Sequence, residues 1–234
     1  EVTVFQVREK LHEYPKMLRE NLGLFYNLSI TAEDSKKIEM YKHQVKRDAI
    51  KKEFTDIEDY LASLELKITI FQNDESIIPR MSQLSQKTNQ FNLTTKRYTE
   101  SDMQNFIDNR NTDVYAFSIA DKFGDSGVTG LGIVSLNSDI GIAEIDTLLM
   151  SCRIIGRNIE YSFMDYIIRK LKEKKIKVLN ANYISTNKNK QGEGFYDRCS
   201  FELVGNNDKV RNYILDINNY TLKQINYIGV IDGK

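Results

Sequence analysis

Arg153 and Arg157 bracket Gly156 in a short turn between an apolar run and a long amphipathic stretch, and that arrangement suits a phosphate. Free N–H groups and the positive dipole end at the start of a helix attract an anion, and a glycine lets it approach the backbone. The apolar run is Ala143 to Met150, and the turn runs from Cys152 to Asn158. Apolar residues follow at Ile159, Phe163, Tyr166, Ile167 and Leu171, one face of a helix. Glu144 and Asp146 alternate on the apolar run and share a face. A buried carboxylate there is a candidate general base, or else the partner of an arginine inside the sheet. Cys152 precedes a helix start and two arginines, which favours a thiolate able to carry an acyl group. The two histidines, His12 and His43, lie far upstream, so packing is the plainer reading of Cys152 and a Ser/His/Asp triad is not expected.

Further along, Gly194-Phe195-Tyr196-Asp197-Arg198-Cys199-Ser200-Phe201 places Phe195 and Tyr196 side by side, where they can anchor a short helix on the sheet. Asn187 and Asn189 sit in a polar loop where their amides serve a ligand or a turn. Gly130 and Gly132, two apart, permit close approach of a ligand or a neighbouring chain, or mark a bulge. The polar stretch Gln86 to Tyr98 places Asn89 and Asn92 among threonines, a composition suited to capping or ligand contacts.

The elements that must position these groups change character near residue 66. From Glu1 to about Leu66 the pattern is helical, with N-cap signatures at Thr31 with Asp34 and at Thr55 with Glu58. In the first of these helices Ile38, Tyr41, Val45 and Ala49 form the apolar stripe. Seven basic residues (Lys36, Lys37, Lys42, Lys46, Arg47, Lys51, Lys52) face two acidic ones (Glu39, Asp48), a solvated face or a docking patch. From Lys67 onward strands are expected at Lys67 to Phe71, Val114 to Asp121, Val128 to Ser135, Ala143 to Met150, Val178 to Tyr183, Phe201 to Val204 and Arg211 to Ile217. Helices are expected at Ile77 to Gln86, Glu100 to Asp108, Asn158 to Lys174 and Glu193 to Cys199. Turns at Gly124-Asp125-Ser126-Gly127 and Asn137-Ser138-Asp139 join three strands as an antiparallel meander. The fold class is therefore α/β (α+β).

The chain has 234 residues, of which 41% are hydrophobic, enough for one substantial core and a smaller appendage. Lys plus Arg and Asp plus Glu number 33 each, so no global field argues for nucleic acid or a membrane surface. Two cysteines without metal-ligand spacing point to no disulfide framework and no metal, and a reducing cytoplasmic setting fits best. No apolar run reaches membrane-spanning length and no signal peptide opens the chain. A start at Glu1 without Met reads as a fragment of something longer.

The order strand, R-x-x-G-x turn, helix, strand, polar loop, F-Y-x-x-x-x-F resembles the GNAT acyltransferase superfamily, with Arg153, Gly156 and Asn158 on the marked positions of its pyrophosphate loop. Asn158 departs from the family, which has Gly or Ala there, and its side chain would crowd the phosphate. The resemblance implies a GNAT-like central mixed, mostly antiparallel sheet flanked by helices over residues 67–234, preceded by an N-terminal helical segment. It implies binding of acetyl-CoA or a phosphopantetheine thioester by Met150, Cys152, Arg153, Gly156, Arg157 and Asn158, with the arm along splayed middle strands. Glu144 is the implied base and Tyr196 the acid protonating the leaving thiolate.

A second resemblance covers nearly the whole chain. Gln86-Lys87-Thr88-Asn89-Gln90-Phe91-Asn92-Leu93-Thr94-Thr95-Lys96-Arg97-Tyr98, Asp121-Lys122-Phe123-Gly124-Asp125, Ile145-Asp146-Thr147 and Met150 to Arg157 are similar to FkbH-like proteins, as are Thr31 to Asp34 and Met40-Tyr41. In that family a HAD-type phosphatase domain of subfamily IIIC precedes a GNAT-like domain, and glyceryl units are loaded on an acyl carrier protein. The HAD chemistry needs an Asp-x-Asp motif and magnesium. Residues 1–66 contain no such motif, so this part resembles the trailing helices of an upstream HAD domain, without its reaction. The implied partners are an acyl carrier protein or a small-molecule acceptor, with Asn89, Asn92, Asp146 and Asn187 as substrate-binding candidates. The competing reading is a non-catalytic module that binds the carrier, and a purely structural domain is a third.

Overall fold

A computed structural model describes residues 10–25 and 37–233. By its contacts the chain divides into two compact units that meet at Tyr41 and Lys42. Within the first unit a short helix, α1 (Tyr14–Glu20), starts with Pro15 in its first turn and buries none of its residues. The helix start expected at Thr31 and Asp34 lies outside the described residues. A second helix, α2 (Lys37–Lys51), runs across the boundary, and its stretch from Lys42 belongs to the larger unit.

The larger unit is built on a nine-stranded sheet. In chain order its elements are α3 (Ile57–Ser63), β1 (Leu66–Gln72), α4 (Ile78–Lys87), β2 (Phe91–Asn92), α5 (Glu100–Asp108), β3 (Thr112–Asp121), β4 (Gly124–Asn137), β5 (Ile142–Met150), α6 (Ile159–Glu173), β6 (Val178–Ile184), α7 (Phe195–Arg198), β7 (Glu202–Asn206), β8 (Val210–Asp216) and β9 (Ile228–Asp232). Along the sheet the order is β7-β8-β6-β5-β4-β3-β1-β9, with β2 hydrogen-bonded to β5 off that path. Pairing is antiparallel except for β5 with β6 and β1 with β9. The mixed, mostly antiparallel sheet flanked by helices is thus as expected.

Period dictates most of this. Ile159, Phe163, Tyr166, Ile167 and Leu171 all lie buried on α6, packed on one face of the sheet with residues of α3 and α7. On the other face α4 and α5 contribute Ile78, Met81, Leu84 and Met103 against Val114, Ala116, Leu131, Ile133 and Leu149. Each such side chain removed from water contributes about 1.5–3 kcal/mol. Thr99 and Asp102 close a reciprocal capping box at the start of α5.

Three local expectations are corrected. The cap of α3 is Asp56, not Thr55: its carboxylate accepts from the N–H of Glu58 at 2.6 Å and of Asp59 at 3.1 Å. On α2 the expected apolar stripe faces outward, with Tyr41 73% and Val45 69% exposed, while Arg47 is buried. The reason is electrostatic, because Arg47 reaches Asp121 at the end of β3 through two hydrogen bonds, and that pairing turns the helix. The side chain of Ile38 lies outside the described set. Gly130 admits a neighbouring ring and no ligand: a Cβ there would stand 1.8 Å from the Phe117 ring. The ladder is bulged at this point, opposite Phe117 and Ser118.

Candidate functional site

β5 ends at Met150, and the Ser151 N–H donates to the Thr129 carbonyl at 2.7 Å, which swings the chain out of the sheet. A 3-10 turn over Cys152–Ile154 follows, pinned by buried Ile154. Gly156 then adopts φ +83° and Asn158 φ +62° before α6 begins. Cys152, Arg153 and Gly156 are exposed on this turn. A Cβ on Gly156 would meet nothing within 4 Å, so glycine is required here for its backbone angle and the space beside it is open. Among the described residues no backbone acceptor takes the N–H of Gly156, Arg157 or Asn158. Unused donors at a helix start are the physical content of an anion cradle. Arg153 lies on its rim and donates to the Ser126 carbonyl at 3.4 Å.

Two further residues of the turn, Asn158 and Arg157, behave differently from expectation. The Asn158 side-chain amide does not crowd the turn; it donates to the Tyr227 hydroxyl at 2.6 Å. Arg157 points inward, 8% exposed, with its guanidinium 3.5 Å from Asp121 and donating to the Arg153 carbonyl at 3.2 Å. Asp121 therefore lies between two arginines, at 2.6 Å from Arg47 Nε. Burial alone would raise the Asp121 carboxyl, but the Arg47 hydrogen bond and charge, the Phe123 N–H and Arg157 outweigh it and hold the group below its ordinary range. Burial and the neighbouring Arg47 charge pull Arg157 down, with Asp121 opposing. Arg157 thus braces α2 and the β3–β4 hairpin from within, and its charge is not presented to a ligand.

β5 and β6 pair only from Ile142/Val178 to Ile145/Ala181 and then separate, as the expected splay of the middle strands requires. The gap is not empty. Phe91 and Asn92 pair antiparallel with Met150 and Leu149 along the free edge of β5. Leu93, fully buried, donates its N–H to the Leu148 carbonyl at 3.0 Å and accepts from the Ile184 N–H at 2.8 Å. One residue thus bridges both strands. Without it the carbonyl of buried Leu148 would lack this partner, at about 1–3 kcal/mol, and the Ile184 N–H would lose its acceptor.

The residues proposed to bind substrate hold this segment in place. Asn92 accepts from the Thr95 N–H at 2.8 Å, and its own carbonyl receives the Asn189 amide at 2.9 Å. Asn89 accepts from Arg97. Asp146 takes Tyr98 and Lys96 on its carboxylate and Thr94 on its carbonyl, the last at 3.0 Å. Met150 is buried, paired with Phe91 on one edge and Gly130 on the other. Asn187 is exposed, while its neighbour Asn189 is fully buried and ties the loop to the inserted segment. A Cβ on Gly192 would stand 2.6 Å from Leu93, so that glycine makes room for the insertion.

Neither acid–base candidate has the setting expected of it. Glu144 is exposed and accepts from Asn182 at 3.1 Å, so the burial that would activate a base is missing. Tyr196 is 1% exposed among Phe195, Phe201 and Tyr213, its hydroxyl without a hydrogen-bond partner among the described residues, and burial pushes the phenol far up. This is the setting of a core anchor, the alternative reading of Tyr196: the four-residue α7 turns Phe195 and Tyr196 together into the core. Glu160 went unread in the sequence. It stands in the first turn of α6 with one carboxyl oxygen buried and unpartnered, and burial raises its pKa. An acid directly after the Arg157-Asn158-Ile159 turn was the available signal. Two surface clefts, of about 260 and 360 Å³, lie elsewhere, beside Asp165–Arg169 and beside β8.

No protein-family model and no curated protein matches the chain. Solved structures do, and they define the class: the sheet and its helices have the GNAT N-acetyltransferase fold. A domain from Methanocaldococcus jannaschii superposes with a TM-score of 0.51 at 14% identity, over 64% of this chain and 99% of that one. Ard1 from Thermoplasma volcanium matches with a TM-score of 0.50 at 15% identity, over 64% and 97%. A mutant spermidine N-acetyltransferase SpeG from Vibrio cholerae gives 0.50 at 11%, over 65% and 95%. At such identities the likeness establishes the fold.

Proposed function

We propose that this chain is an acyl-thioester-binding domain of the GNAT type. It takes the phosphate end of acetyl-CoA, or of a carrier-borne phosphopantetheine thioester, at the turn around Gly156, and passes the acyl group to an acceptor. The observation that carries this reading is the exposed Gly156 at φ +83°, with open space beside it and unused N–H groups leading into α6. A strand gap adjoins that turn, and the solved structures of this fold include N-acetyltransferases. Glu144 is the base candidate by position on β5, and no residue is assigned as the acid. Calorimetry with CoA and acetyl-CoA tests the reading: binding that is lost in Arg153→Ala and Gly156→Val supports it, and absence of binding to either ligand overturns it.

A second reading, a non-catalytic module that binds a carrier protein for an upstream HAD-type domain, is favoured by the outer side of α2. Lys42 and Lys46 on it and Lys52 just past its end are exposed without a salt bridge among the described residues, a surface suited to an acidic partner. Binding of a holo carrier protein without binding of free CoA would select it.

A further inference from the structure

We propose that Phe91–Thr94 is an intramolecular occupant of the thioester-arm site, a strap that leaves the β5–β6 gap before an extended arm can lie there. The inference rests on the thioester reading and adds a regulation to it. The strap uses the groups an amide-bearing arm would need, the Leu148 carbonyl and the Ile184 N–H, through the N–H and carbonyl of the single residue Leu93. The gap there is closed by one extended chain: Leu93 bridges it alone, so strap and arm exclude each other.

Two features make the strap releasable. Thr95, immediately after it, is held at φ +57°, a region that a β-branched residue avoids. That angle is fixed by the Asn92 side chain accepting from the Thr95 N–H, so withdrawal of Asn92 frees Thr95 to relax. Just beyond it, Lys96 and Tyr98 are both held by one partially exposed carboxylate, Asp146, while the strap itself keeps the ties of Asn92 to Asn189 and of Thr94 to the Asp146 carbonyl. The strap's apolar anchors are Phe91, against the Phe195 ring at 5.4 Å, and Leu93.

Opposite changes at the two ends test this. Tyr98→Phe with Lys96→Met unties Asp146 while keeping the ring packed on Phe106, and should tighten acetyl-CoA binding about five- to tenfold. Thr95→Gly removes the strain of the closed form and should weaken binding several-fold. Hydrogen exchange at the Leu93 amide should rise when acetyl-CoA is added to the unmodified chain, while the Ile184 N–H passes from the strap to the arm. Equal affinities in all three proteins, or unchanged protection of Leu93 in the complex, overturn the strap while an Arg153-dependent affinity keeps the thioester reading. If no variant binds acetyl-CoA or CoA, both fall.

Discussion

Arg47 and Asp121 form a two-point ion pair, 2.6 and 2.9 Å long, that joins α2 to the end of β3, and it is nearly free of solvent. Removing one partner leaves the other charged and buried. Asp121→Ala should cost about 3–5 kcal/mol in urea unfolding of the larger unit. Arg47→Met and Arg157→Met with Asp121→Asn should cost much less, because no charge then stays stranded. Equal losses in the two proteins would mean that the pair contributes packing only.

The same carboxylate sets a pH dependence, and Glu160 sets the opposite one. Asp121 lies below its ordinary value of 3.8 in the fold, so its contribution is present above that pH and is lost as pH falls through the lower folded value. Glu160 lies above its ordinary value of 4.5, so its protonated form favours the fold at low pH and this support is lost as pH rises through the folded value. Glu160→Gln should therefore raise the midpoint of thermal unfolding at pH 8 and leave it nearly unchanged at pH 4. Asp121→Asn should flatten the loss of stability below pH 4. A Glu160→Gln gain of the same size at both pH values would show that its carboxyl is not held neutral.

The elements were legible wherever a residue's period decided its place. The alternation of Ala143 to Thr147 and the helical spacing from Ile159 to Leu171 each report one buried face, and a buried face needs no knowledge of its partner. β2 escaped for the opposite reason. Phe91-Asn92 is too short to show a period, and its pairing with Leu149 and Met150 spans more than fifty residues of intervening chain. β9 was missed likewise, since Ile228-Gly229-Val230 gains its strand state only from β1. At the site, sequence located the turn and Gly156 but not the direction of the side chains. Arg153 and Arg157 look alike in the string, yet one is exposed and the other buried against Asp121. Asn92 and Asp146 read as ligand groups because polar residues serve a ligand and a neighbouring segment with the same bonds.

Gly130 and Gly156 are both irreplaceable, for different reasons, and substitution should separate them. Gly130→Ala forces a methyl into the Phe117 ring and should destabilise the fold by about 1–3 kcal/mol. Gly156→Ala has room for its methyl but not the backbone angle, at about 1–2 kcal/mol, and should also weaken CoA binding by reshaping the turn. A Gly156→Ala protein that binds CoA as the parent does would remove the turn from the ligand site.

Tyr196 allows the sharpest decision about chemistry. Its hydroxyl is buried without a partner among the described residues, so the fold carries the cost of desolvating it with no hydrogen bond from them in return. Tyr196→Phe should leave stability unchanged or raise it by about 1 kcal/mol, because the ring contacts with Phe201 and Tyr213 remain. A phenol that protonates a leaving thiolate behaves otherwise: its loss lowers kcat about a hundredfold or more, with little change in KM. Acetyl transfer to a polyamine or an N-terminal peptide, assayed beside urea unfolding, reads both quantities in the same two proteins. A stabilised Tyr196→Phe with its kcat intact confirms the residue as core. A large fall in kcat would require a second arrangement of α7, in which Tyr196 leaves the cluster with Phe195 and reaches the β5–β6 gap.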